Sequence, residues 1–331
     1  MIDRTDVSGS NEGRSKIEPQ AYALPMLSVV LFGSMSASLE SSSSARTLAL
    51  APRVAELLAF LALGRGEYFS RADLADSIWG DRAHEMTAGT LNTALWRLRR
   101  SIEQTPAQPG DFLTTNRQGA VGLNGPRPVS IDVAEFERLT RPGLSKPVEQ
   151  LTEADREALR ASIALYRGNV LAGFCGLWAL REQERLRNTY LNAAGRLMHL
   201  SELRREYDDA IHYARLVLAV DELREDVHRD LMRYLVCNGQ RALALRQFDV
   251  CRAALRRELA IQPMNETMAV YRQIAEGAME GSRPVQPLMP DRPIPPEPTW
   301  PTTAVHQVQA ARHLLAEADD HLKKTLDLIQ H

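Results

Sequence analysis

A chain of 331 residues, 44% hydrophobic and 25% charged, has the make-up of a globular protein of about two domains. Its net charge of −2 excludes a polycation, so any nucleic-acid surface must be local. Three cysteines (Cys175, Cys237 and Cys251), with no CxxC pair and no His at ligand spacing, exclude a disulfide scaffold and a Cys-based metal site, and read as buried free thiols of a reducing compartment.

Residues 1–25 are polar and charged, hold no apolar signal core, and are expected to be disordered. No stretch reaches the roughly 18 apolar residues of a membrane helix, so a cytoplasmic protein with no membrane partner is expected. LSVVLFG (27–33) predicts a strand, and the Ser-rich SLESSSSARTLAL (38–50) predicts hairpin or small-sheet material. Pro52 suits a first helical position, and Val54, Leu57, Leu58 and Leu61 form one helical stripe that Gly64 and Gly66 end. A second helix starts at Ser70, a good N-cap with Asp73 three residues on. Phe69 and Leu74 stand at its staple positions, and Gly80 stops it.

The segment 87–104, TAGTLNTALWRLRRSIEQ, follows a loop, GDRAHEM. Leu91, Leu95, Leu98 and Ile102 fall at spacing 4, 3, 4, the stripe of an α-helix. The opposite face carries Thr90, Thr93, Trp96, Arg97 and Arg100 and no acid. Taken alone, such a face is either a solvated surface or a surface for phosphate and bases. FLTTNRQGAVGLN (112–124) then reads as a hairpin, two apolar runs around a polar centre. Small sheet, three helices and hairpin make the order of a winged helix-turn-helix, whose third helix lies in the major groove beside a backbone-tracking wing.

GPRPVSID (125–132) reads as a linker-like break. From about 133 to 277 the pattern is almost wholly helical, with a capping box at Thr152 and Asp155 before a helix ending near Gly168. Ala210 and Ala244 stand 34 residues apart, the tetratricopeptide period, where small side chains let neighbouring helices approach. A proline-rich linker is expected at 280–302. An amphipathic helix is expected at 303–331, with Val308, Leu315, Leu322 and Ile329 on one thin face suited to docking on the domain or to weak self-association.

In order and spacing these segments resemble a bacterial transcriptional activator of the SARP type, the Streptomyces antibiotic regulatory protein class. The resemblance runs over about 27–275. In the first domain it rests on Leu31-Phe32-Gly33, Leu74, Ile78-Trp79-Gly80 and Leu95 to Arg100. In the second it rests on Leu165 to Leu171, Trp178, Glu184-Arg185-Leu186, Glu225 to Met232, Gly239 to Leu245 and Leu255 to Pro263. It implies a mainly α protein: an OmpR-type winged helix with small β-sheets at 26–125, then a tetratricopeptide-like all-α activation domain at 126–279. There are departures. No P-loop GxxxxGK[ST] is present, and Trp96 stands where related recognition helices often carry a polar or basic residue.

With that resemblance the outward residues Thr90, Thr93, Trp96, Arg97 and Arg100 are candidate DNA contacts, since arginine can bind guanine bidentately or neutralise phosphate and threonine can read base edges. Thr115, Asn116 and Arg117 are candidates on the wing, and Arg117 aligns with an arginine common in OmpR-type wings. Asn92 and Arg99 flank the face. The loop 80–86 exceeds a simple helix-turn-helix turn. By resemblance Asp81, Arg82, His84 and Glu85 are candidate RNA polymerase contacts. Residues 27–125 hold nine Arg, no Lys and nine acids, so non-specific DNA affinity should be modest. The resemblance implies specific binding by a homodimer on repeated promoter half-sites. The rival reading is a tetratricopeptide scaffold that binds proteins. No phosphate loop, HExxH or nucleophile elbow is present, and no cofactor, metal or catalytic residue is expected.

Overall fold

The computed structural model describes residues 25–41, 44–64, 66–80, 88–105 and 107–277. The expectations for the N-terminus, the loop at 81–87, the proline-rich linker and the C-terminal helix fall outside these residues.

Three strands open the chain: β1 (Met26–Val30), β2 (Ser36–Ser41) and β3 (Ser44–Thr47). They form an antiparallel meander with Leu27 opposite Leu39 and Ser38 opposite Thr47. Leu27, Val29 and Leu31 are buried on one face, as the alternation of LSVVL demands. Three helices follow: α1 (Pro52–Leu63), α2 (Arg71–Trp79) and α3 (Ala88–Ile102). Pro52 opens α1. The Ser70 side chain caps α2 by accepting from Asp73 N at 3.1 Å. A hairpin, β4 (Thr114–Thr115) and β5 (Val121–Gly122), closes the winged helix, and β5 also pairs with Phe69 ahead of α2.

The linker-like break expected at 125–132 is not a linker. It contains β6 (Val129–Ile131), which runs parallel to β1 and completes a sheet of order β3-β2-β1-β6. Asp132 opens α4 (Asp132–Leu144) and its carboxylate accepts from Leu31 N and Phe32 N at 2.9 Å. The helix after the Thr152–Asp155 capping box, α5 (Glu153–Leu165), ends before Gly168 because the chain turns extended at Tyr166. Residues 166–176 are not helical. They pair with the end of β1: Gly33 N donates to Asn169 O at 3.0 Å and Leu171 N to Leu31 O at 2.8 Å. Gly33 sits at φ +79° in this crossing, a conformation that favours glycine.

Rings fill the seam so formed. Phe32 stands edge-on to Phe136 with centroids 5.1 Å apart, and Tyr166 stacks on Tyr190 at 4.1 Å. Trp178 meets Phe60 of α1 edge-on at 5.2 Å. The first and second halves of the described chain therefore share one core.

Beyond the seam lie α6 (Leu177–Leu203), α7 (Tyr207–Val220), α8 (Glu225–Cys237), α9 (Arg241–Leu259) and α10 (Asn265–Ala275). They pack as sequential antiparallel pairs, and Ala210 and Ala244 are fully buried where α7 and α9 press on their partners. The fold is thus mainly helical, a winged helix with small sheets leading into a tetratricopeptide-like domain. Among the cysteines, Cys251 is buried and Cys237 half-buried, whereas Cys175 is exposed in the non-helical 166–176 segment, against the expectation of three buried thiols.

Candidate nucleic-acid interface

The stripe of α3 does what its spacing requires. Leu91, Leu95, Leu98 and Ile102 are buried, and Ala94 joins them. Fixing that side aims Thr90, Thr93, Trp96, Arg97 and Arg100 into solvent, and all five are exposed. Thr90, Thr93 and Arg97 line a cleft of about 660 Å³ whose far wall is Pro52 and Arg53 at the start of α1, with Trp79 at the end of α2.

Several polar groups on this face have work inside the protein. Thr93 Oγ1 donates to Gly89 O at 2.7 Å, so its hydroxyl proton is spent on the helix. The Arg100 guanidinium lies over the Trp96 ring, 5.2 Å from its centroid, a cation–π stack on the helix surface. Arg71 reaches across from α2 to Asn92 Oδ1. Arg46 of β3 donates to Gln104 Oε1 at 2.8 Å, and Arg53 to Glu56 at 2.7 Å and Ile78 O at 3.1 Å. These three arginines brace the helices instead of standing free.

The wing is tied to α3 by a buried carboxylate. Glu103, whose side chain is 1% exposed, accepts from Leu113 N at 2.9 Å and Phe112 N at 3.3 Å. Arg99 pairs with Glu103 at 3.3 Å and donates to Leu113 O at 3.1 Å. Arg99 therefore clamps the wing to the helix. Gly125 closes the wing's base: its N donates to Phe112 O, and a Cβ there would sit 2.0 Å from Asp111 O.

At the wing's tip Thr115 and Arg117 are exposed. Asn116 is half-buried, and its Oδ1 accepts from Gln118 N and Ala120 N, both at 3.0 Å. Its oxygen holds the turn. Tyr68, which sequence reasoning passed over, is 42% exposed, and its hydroxyl meets Thr114 Oγ1 at 3.1 Å. The sequence signal for it is an aromatic two residues before the N-cap Ser70. Asp81, Arg82, His84 and Glu85 lie outside the described residues. Among the described residues no group of His, Cys, Asp and Glu could hold a metal ion, and no helix is long and apolar enough to cross a membrane.

Two family models match the chain, "Transcriptional regulatory protein, C terminal" over residues 45–119 and "Bacterial transcriptional activator domain" over 131–275. Regulatory protein AfsR of Streptomyces coelicolor is 26% identical over 213 residues, 64% of this chain and 21% of AfsR. Transcriptional regulator RedD of the same organism is 30% identical over 221 residues, 64% of this chain and 61% of RedD. The matched part thus spans about a fifth of one relative and three fifths of the other. Among solved structures, Mycobacterium tuberculosis EmbR in complex with a low-affinity phosphopeptide has a TM-score of 0.58 at 15% identity, over 80% of this chain and 67% of that one. That likeness concerns the fold.

Proposed function

We propose that the chain is a SARP-type regulator, an activator that binds promoter DNA through α3 and the wing and brings RNA polymerase to the promoter. The observation that carries the reading is the outward face of α3. Five exposed residues, two of them arginines and none an acid, stand on a helix whose other side is locked into the core. A helix so held fits the major groove, and Arg97 is its base reader, able to meet guanine O6 and N7 bidentately. Arg117 and Thr115 meet phosphate beside it. Residues 26–125 carry the DNA surface, and 126–279 support dimerisation and polymerase contact.

With no net charge over the winged helix, one protomer binds weakly, so two on direct repeats are needed for a specific complex. The loop residues Asp81, Arg82, His84 and Glu85 are assigned to polymerase. Cytoplasmic residence follows from this role.

The test is a gel shift on the promoters of its neighbouring genes with a salt titration. Arg97→Ala is expected to weaken specific binding by about 1–3 kcal/mol. Arg117→Ala should weaken all sequences alike and lower the salt slope by about one. Unchanged binding in both variants would refute the surface. Alanines at 81, 82, 84 and 85 should lower transcription and spare DNA binding; loss of the gel shift would sink the polymerase assignment.

A further inference from the structure

Three tryptophans lie among the described residues. Trp79 and Trp178 pack against the core, while Trp96 is 57% exposed in the middle of the outward face of α3. Single exposed apolar side chains are common on this protein, and what sets this ring apart is its place among the threonines and arginines of that face. One of its faces is already covered: the Arg100 guanidinium stacks there at 5.2 Å. The stack occupies one face of an indole that is otherwise largely in solvent, next to Arg97 in sequence and one turn from Thr93. Arg100 is thereby held over the ring and is not splayed toward a base.

An indole offers one N–H and no acceptor, so it cannot match the polar pattern of a base pair. The major groove presents one apolar group, the C5-methyl of thymine. We infer that Trp96, backed by Arg100, reads a thymine methyl and so imposes a thymine in each half-site. Trp96 is then a specificity residue of the complex and Arg100 a positioning residue for it. The inference rests on the reading of α3 as a DNA-binding helix and adds the base it demands.

The test starts from a duplex selected by the full chain from a random-sequence library. Each thymidine is then replaced singly by deoxyuridine, which removes only the methyl. At one position per half-site binding should weaken on the order of fourfold, the worth of one buried carbon. Trp96→Ala should bind thymidine and deoxyuridine duplexes equally at that position, and Trp96→Phe should keep the difference. Circular dichroism checks that the exposed substitutions leave the fold intact. A selected site with no such position, or the same discrimination in Trp96→Ala, overturns the inference while leaving the DNA-binding reading standing. Failure to select any duplex overturns both.

Discussion

Glu103 and Arg99 show how a side chain within a basic helix can serve geometry instead of DNA. Glu103 satisfies two backbone N–H groups at the root of the wing from inside the core, and Arg99 matches its charge and takes Leu113 O. Removing a buried acceptor leaves those donors unpaired, which costs about 1–3 kcal/mol. Glu103→Ala should lower the unfolding free energy by that much in urea titration. An unchanged midpoint would mean the clamp does not hold. Asn116 teaches the same caution. Its Oδ1 is committed to the turn, which leaves its amide only the Nδ2 donor for a contact outside the protein. The sequence carried that hint, because Asn with Gly three residues on spells a tight turn as well as a polar tip.

At the level of elements, α3 was legible because its stripe has a helical period over four turns, and nothing in the fold competes with it. The capping boundary at Thr152 was legible for the same local reason. Strand β6 was not. Val129–Ile131 is three residues long and follows two prolines, and its existence depends on a partner some hundred residues earlier. The helix expected to run to near Gly168 stops at Leu165 for a like reason: the backbone of 169–172 bonds to Leu31 and Gly33, which no local pattern can announce. Joined by β6, Asp132 and the rings around Phe32, the winged helix and the helical domain should melt together. Calorimetry of residues 25–277 is expected to give one cooperative transition. A fragment ending at 125 lacks β6 and leaves one edge of β1 open, so it should be much less stable. Two separated transitions would contradict the shared core.

For the whole molecule, two buried groups among several make stability depend on pH. His228 is 1% exposed, with Nδ1 accepting from Gln247 at 2.7 Å and Nε2 donating to Glu222 O at 3.0 Å. Burial lowers its pKa from 6.5, against the pull of the Glu222 carbonyl and of Glu225, Glu222 and Asp226. The unfolded chain therefore takes up that proton first, and stability should fall as pH drops below 6.5. Asp155 is held down to about 2 by Lys146 and by the backbone and hydroxyl of Thr152. Its contribution is present above 3.8 and is lost as pH falls from there to about 2. Urea midpoints measured from pH 8 to pH 2 should show two declines, the first absent in His228→Gln. A flat profile from pH 7 to pH 5 would contradict the neutral, fully bonded imidazole.

The claim on which the rest depends is that the outward face of α3 enters the major groove. Dimethyl sulfate methylates guanine N7 in that groove, so its footprint on a bound promoter reports it directly. Protection of a guanine N7 in each half-site, lost in Arg97→Ala, is the result expected. A bound complex in which every guanine N7 stays as reactive as in free DNA would contradict it.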